Sequence, residues 1–273
     1  MLATMFALHS DDTGQTRRRP PAVWRTMTRL DQGLVSLTGR LRVTGRIPPE
    51  LLGRPFLMAA NHIGVFDPFV LIAACRRIGF APRFLLAGGI LDTPVIGPAL
   101  KVSGHMRIDR GKASAVEQFT QAVEEMRTTQ SPIIVYPEGR ISHDPGLWPE
   151  RGKTGAARLA IAAGVPVVPI SQWGAHEAVY WGTERVEGPA DLLPLARSGL
   201  TAPLRRPTYR VHFGEPVDLS EIEPARPGAG VRAHAQIMRA ITEGLVPLRR
   251  NEPDRPKFHD PTRPTDTLSP WRP

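Results

Sequence analysis

The chain has 273 residues, 41% of them apolar, with a formal net charge of +9 and a pI near 10.6. That is enough apolar content for a full core, and the charge favours a polyanionic partner: nucleic acid, anionic lipid or a phosphate ester. A single cysteine, Cys75, excludes a disulfide framework and points to a reducing compartment, and no uninterrupted apolar run reaches the ~18 residues of a membrane span.

In chain order, residues 1–21 are polar and basic, end in Pro-Pro and read as a disordered N-terminus. Their positive charges follow the short apolar piece, the reverse of a secretory signal, so a cytoplasmic protein is expected. The spacing predicts an amphipathic helix over 22–38 with Val23, Met27, Leu30, Leu34 and Leu37 on one face. That face either packs on the protein's own core or lies in a membrane interface, with Trp24 as anchor and Arg17 to Arg19 near the head groups. Strands are expected at 56–60, 83–87, 105–108, 132–136, 165–171 and 209–214, and helices over 68–79, 113–129, 153–164 and 231–246. The alternation indicates one α/β domain, residues 22–250, with a mostly parallel or mixed sheet flanked by helices. Residues 251–273 carry six prolines and almost no apolar periodicity, and read as a disordered Pro-rich tail.

Two strand ends carry chemistry. After the apolar run "FLMAA" come Asn61 and His62, with Asp67 five positions beyond the histidine. Asp before Pro68 is also an ordinary helix start. A histidine at the carboxyl end of a buried strand, however, sits where open α/β sheets form their clefts. Asp67 could accept from one ring nitrogen, leaving the other free as a base, with Gly64 letting the link fold back. The second is "VYPEGRIS", which puts Glu138, Gly139 and Arg140 at another strand end. Two further stretches, "GHMRIDRG" with Arg107 and Arg110, and "VPVVPIS", are individually unremarkable.

Together, in this order and spacing, these four blocks resemble the glycerolipid acyltransferase family, specifically the bacterial 1-acylglycerol-3-phosphate (lysophosphatidate) acyltransferases. The family's blocks NHxxxxD, Gxxx(I/V)DR, (F/Y)PEGTRS and VP(V/I)(V/I)P stand here as Asn61-His62…Asp67, Gly104…Ile108-Asp109-Arg110, Tyr136 to Ser142, and Val165 to Pro169. The resemblance covers about residues 40–220. The third block departs from the pattern, reading Glu-Gly-Arg-Ile-Ser with the arginine one place early.

The resemblance implies that His62, oriented by Asp67, takes the proton of a lysophospholipid hydroxyl as it attacks an acyl thioester, with no covalent acyl-enzyme. It implies substrate-binding roles for Asn61, Arg107, Arg110, Glu138, Gly139 and Arg140: an oxyanion held by backbone donors near Gly139, and an acceptor phosphate held by Arg140 with Arg107 or Arg110. No metal or cofactor is implied; the donor is acyl-CoA or acyl carrier protein, the latter a candidate partner. The acceptor is 1-acylglycerol-3-phosphate, giving phosphatidic acid in phospholipid biosynthesis, or alternatively another lysophospholipid or a glycolipid. An enzyme peripheral on the anionic inner face of the cell membrane follows.

Two rivals fit less well. Gly146 and Gly152, before Lys153-Thr154, enclose five residues where a phosphate-binding loop has four, and no strand leads directly into them. A nucleic-acid-binding module is suggested by charge alone, without zinc spacing, an aromatic RNA-binding block or a basic recognition helix; no nucleic-acid partner is expected.

Overall fold

The computed structural model describes residues 20–94, 96–109, 115–128, 132–180 and 189–273. Arg17 to Arg19 and Arg110 lie outside the described residues, as does nearly all of the N-terminal segment expected to be disordered.

The most apolar runs form the centre of the sheet. Every residue of β2 (Leu57–Ala60), β5 (Ile133–Val135) and β6 (Val167–Trp173) is buried, as expected of strands covered on both faces. Around them lie β1 (Arg40–Gly45), β3 (Arg83–Ala87), β4 (Met106–Ile108) and β7 (Thr208–Phe213), in the order β1-β7-β6-β2-β5-β3-β4. All neighbours are parallel except β6 and β7. This is the mixed, mostly parallel sheet that the alternation of elements implies.

The period-two alternation of β2 divides the core. Met58 and Ala60 join Val70, Leu71 and Cys75 of α2 (Asp67–Arg77) and Val35 of α1 (Ala22–Thr38). Leu57 and Ala59 face the opposite layer, with Met126 of α5 (Ala115–Thr128), Leu159 of α6 (Gly155–Ala163) and Ile237 and Ile241 of α9 (Ala229–Leu248). Because β2, β5 and β6 run parallel, the loops leaving them open along one edge of the sheet, where α/β domains place their clefts.

Several elements were not foreseen. β1 escapes notice because Arg40 and Arg42 interrupt its apolar residues; only Leu41 and Val43 turn inward, as on a sheet edge. The short α3 (Gly88–Leu91), α4 (Ile96–Val102) and α7 (Ala175–Ala178) are too brief for a periodic signal, and α8 (Pro189–Arg205) is disguised by Pro194 and Pro203 within it. Residues 251–273 form no helix or strand, as their prolines require, yet they lie along the body: the Ser269 N–H donates to Asp144 Oδ2 at 2.8 Å and Trp271 Nε1 donates to the Glu150 carbonyl at 3.0 Å.

α1 has the expected bounds but presents its faces in an unexpected way. Its buried row is Trp24, Thr28, Asp31, Val35 and Thr38, while Leu30 and Leu37 of the apolar row are 70% and 65% exposed. Trp24 is no interfacial anchor: its Nε1 donates to the Pro82 carbonyl at 3.1 Å, and its ring meets His105 edge-on with centroids 4.5 Å apart. Asp31 faces the core with neither carboxyl oxygen hydrogen-bonded, and burial pushes its pKa up to about 8. Because the folded value lies above the unfolded one, Asp31 costs stability progressively as pH rises from about 4 to about 8. Asp31→Asn is therefore expected to raise the thermal midpoint at pH 8, with the gain shrinking toward pH 4; a gain independent of pH contradicts the assignment.

Candidate active site

The loop after β2 closes on itself through one carboxylate. Asp67, fully buried at the start of α2, does not cap its own helix. Its Oδ2 instead accepts from the Ile63 N–H at 2.6 Å, the Gly64 N–H at 3.0 Å and His62 Nδ1 at 2.8 Å. Close packing favours Gly64 as well, since a Cβ there would lie 3.2 Å from His176 Cα of α7. With a carboxylate as acceptor, Nδ1 carries the ring proton and Nε2 holds the free lone pair. The side chain is 17% exposed and Nε2 remains accessible.

The loop after β5 grips the same residue. Glu138 Oε1 accepts from the His62 N–H at 2.7 Å, and the His62 carbonyl accepts from the Ser142 N–H at 2.9 Å. The Tyr136 ring stacks on the imidazole with centroids 4.1 Å apart and planes 14° from parallel. Backbone, Nδ1 and one ring face of His62 are thus each fixed by a different group. Burial raises the Tyr136 hydroxyl pKa well above its usual value, so the ring stays neutral.

Glu138 has a different place from the one expected. It is buried, and its Oε2 accepts from the Glu150 N–H at 3.0 Å, so its two oxygens tie the His62 loop to the Glu150 segment. Burial pushes its carboxyl up to about 8 against the pull of those two N–H donors, which favour the ionised form. Its geometry is that of a strut. Asn61 is likewise fully buried, donates Nδ2 to the Gln172 carbonyl at 3.0 Å, and accepts the Gln172 N–H at 2.8 Å. The Gln172 side chain returns the contact, donating Nε2 to the Asn61 carbonyl at 2.7 Å. Asn61 therefore fastens the end of β2 to β6 and does not face the cleft.

Gly139 takes a left-handed φ of 73°, and its N–H donates to the Tyr136 carbonyl at 3.0 Å, closing a turn. That N–H is turned away from oxyanion duty. Arg140, next in the chain, stands at the rim with its side chain 40% exposed; Nε and Nη2 pair with Glu150 Oε2 at 3.0 and 2.9 Å. Arg107 lies apart from this group, giving Nε to Asp109 at 2.6 Å and Nη1 to both oxygens of Asp92 at 2.9 Å. Any ligand phosphate there competes with two aspartates, whereas Arg140 has one partner carboxylate and an open face.

Sequence reasoning missed Tyr136 as a stacking partner, Glu150 as the partner of Arg140, and Gln172. Glu150 carries no signal, since it lies twelve residues beyond Glu138 in an irregular loop. Gln172 had one: with Ser171 it is a polar interruption near the end of a strand whose other residues are apolar.

An oriented histidine and a part-exposed arginine at the carboxyl ends of parallel strands form an arrangement able to remove a proton beside an anionic ligand. Residues 40–173 match the Acyltransferase family. A 1-acyl-sn-glycerol-3-phosphate acyltransferase of Limnanthes alba is 30% identical over 148 residues, covering 51% of this chain and 50% of the relative. One of Salmonella typhimurium is 37% identical over 114 residues, covering 41% and 44%. The chain thus spans about half the length of the curated relatives it matches. The crystal structure of the 1-acyl-sn-glycerophosphate acyltransferase PlsC from Thermotoga maritima shares the fold, with a TM-score of 0.53, 18% identity and coverage of 81% and 80% of the two chains.

If Asn61 is a strut, Asn61→Ala leaves the backbone N–H of Gln172 buried without its partner, at a cost of about 1 to 3 kcal/mol. Urea unfolding measures this; a loss below about 0.5 kcal/mol, typical of surface positions, would return Asn61 to the ligand.

Proposed function

We propose that this chain transfers a fatty acyl group from an acyl thioester to the free hydroxyl of 1-acylglycerol-3-phosphate, giving phosphatidic acid. The observation that carries the reading is His62, whose Nδ1 is tied to Asp67 at 2.8 Å while Nε2 is left accessible. Nε2 takes the hydroxyl proton as that oxygen bonds to the thioester carbonyl carbon; the carbonyl re-forms, the C–S bond breaks, and the proton passes to the leaving thiolate. Asp67 stabilises the imidazolium formed on the way. A covalent acyl-enzyme is not invoked, because Ser142, in the same cluster, commits its hydroxyl to the Trp148 carbonyl at 2.7 Å and its N–H to His62, while Cys75 is buried in the core.

Arg140 is the favoured phosphate contact, as a guanidinium already aimed by one carboxylate and exposed on its other side. The names of the relatives support a lysophosphatidate acceptor; another lysophospholipid or a glycolipid is the alternative. Acyl-CoA and acyl carrier protein both present the required thioester.

The substrates partition into bilayers, and no helix of the described residues is long and apolar enough to cross one. Attachment at the surface fits the exposed leucines of two helices that pack side by side: Leu30, Leu34 and Leu37 on α1, and Leu193, Leu200 and Leu204 on α8, the last two 80% and 85% exposed. Exposed Arg25, Arg29, Arg197 and Arg206 accompany them and suit anionic head groups at about 1 kcal/mol per charge. This reading places the enzyme on the inner face of the cell membrane.

Thiol release by purified protein across lysophospholipids, a glycolipid acceptor and both donors tests the reaction. His62→Ala is expected to lose at least ~10²-fold in turnover, and Arg140→Ala to raise the acceptor KM about tenfold or more with the donor KM little changed. Near-normal turnover by His62→Ala rejects the mechanism. In vesicle flotation, Leu30→Ser/Leu34→Ser/Leu200→Ser/Leu204→Ser is expected to lose binding to anionic vesicles, and high salt to weaken but not abolish binding of the unaltered protein; unchanged flotation of the folded variant removes this surface from the account.

A further inference from the structure

The loop that carries His62 is also held from a third side, by a residue far outside the matched family region. Arg263, in the C-terminal segment, is 7% exposed, and its Nη1 donates to the Ile63 carbonyl at 3.4 Å. That carbonyl belongs to the same peptide unit as the Gly64 N–H, which donates to Asp67 Oδ2 at 3.0 Å. A buried chain therefore runs from the Arg263 guanidinium through the Ile63–Gly64 peptide to Asp67 and on to His62 Nδ1. Hydrogen bonds linked in this way polarise one another: a peptide whose oxygen accepts from a cation becomes a better N–H donor.

The segment is built to present this arginine. Asp260 Oδ1 accepts from the Thr262 N–H at 2.9 Å and its hydroxyl at 2.7 Å, closing a local turn immediately before Arg263. Beyond Arg263, Ser269 and Trp271 are fastened to Asp144, Pro149 and Glu150 in the loop after β5. Thr267 Oγ1 accepts from Arg140 Nη2 at 3.4 Å. Residues 260–271 thus bridge the two loops that converge on His62.

We propose that Arg263 is a positioning residue for the general base, acting through the Ile63–Gly64 peptide on Asp67. The proposal rests on the reading of His62 as that base, but the hydrogen bond it describes can be observed without any acyl transfer.

Two measurements on the full chain test it. In one-dimensional proton NMR in water, the His62 Nδ1 proton is expected as a downfield line, assigned by its absence in His62→Gln. Arg263→Ala is expected to move or broaden that line and to lower kcat about tenfold, with both KM values within about twofold and the thermal midpoint retained. Arg263→Lys is expected to recover part of both effects, and carries the test if Arg263→Ala does not fold. Arg272→Ala, which alters a tail arginine paired with Asp254, is expected to leave line and kcat unchanged. A wild-type line and kcat in Arg263→Ala, or in Arg263→Lys if only that variant folds, overturn the proposal. Loss matched by Arg272→Ala also overturns it, by reducing the segment to a general brace. A line that responds as expected in a protein that acylates no acceptor would keep the positioning chain and reject the proposed reaction.

Discussion

The site depends on the hydrogen bonds gathered by one oxygen of Asp67. A fully buried carboxylate is costly unless donors surround it, and here two backbone N–H groups and the His62 ring meet on Oδ2. The start of α2 adds the positive end of a helix dipole to the same place. Gathering those donors on Oδ2 holds the chain between residues 62 and 67 in a tight turn. That turn fixes which ring nitrogen of His62 carries the proton and which is left for chemistry.

The second constraint is the sheet. β2 lies between β5 and β6, parallel to both, with Ala59 opposite Val135 and Pro169. That register delivers the loop after β2, the loop after β5 and the end of β6 to one edge. Asn61 and Gln172 then lock β2 to β6, while Glu138 and Ser142 hold the backbone of His62 from the β5 side. Asn61, Asp67, Glu138 and Ser142 thus hold His62 or the strand end that carries it, in keeping with the sensitivity of catalysis to small displacements of a reacting group. Arg140, ion-paired to Glu150, is still 40% exposed.

How much of this was legible follows from the kind of signal each part leaves. The central strands and α2, α5, α6 and α9 show in the sequence because burial imposes apolar periodicity. β1 and α8 do not, because an edge strand tolerates arginines and a helix can hold prolines when its partners fix it. His62 and Asp67 were readable from a local spacing after an apolar run. At Asn61 and Glu138 the spacing marks a position but not a direction, since a short motif does not say whether a side chain points into a cleft or, as here, toward a neighbouring strand or loop. Arg263 is 200 residues from Ile63 in sequence, and nothing in a proline-rich tail announces a contact over that distance. The apolar row of α1 was seen, but its direction was not, because the buried row contains Thr28 and Asp31 and looks polar.

The central claim is that His62 and Asp67 act as one unit. A double-mutant cycle in the thiol-release assay, comparing His62→Ala, Asp67→Asn and the double variant, measures this directly. If Asp67 works only through the imidazole, the double variant turns over no more slowly than His62→Ala alone; losses that multiply, each residue costing its full factor in the absence of the other, would contradict the account.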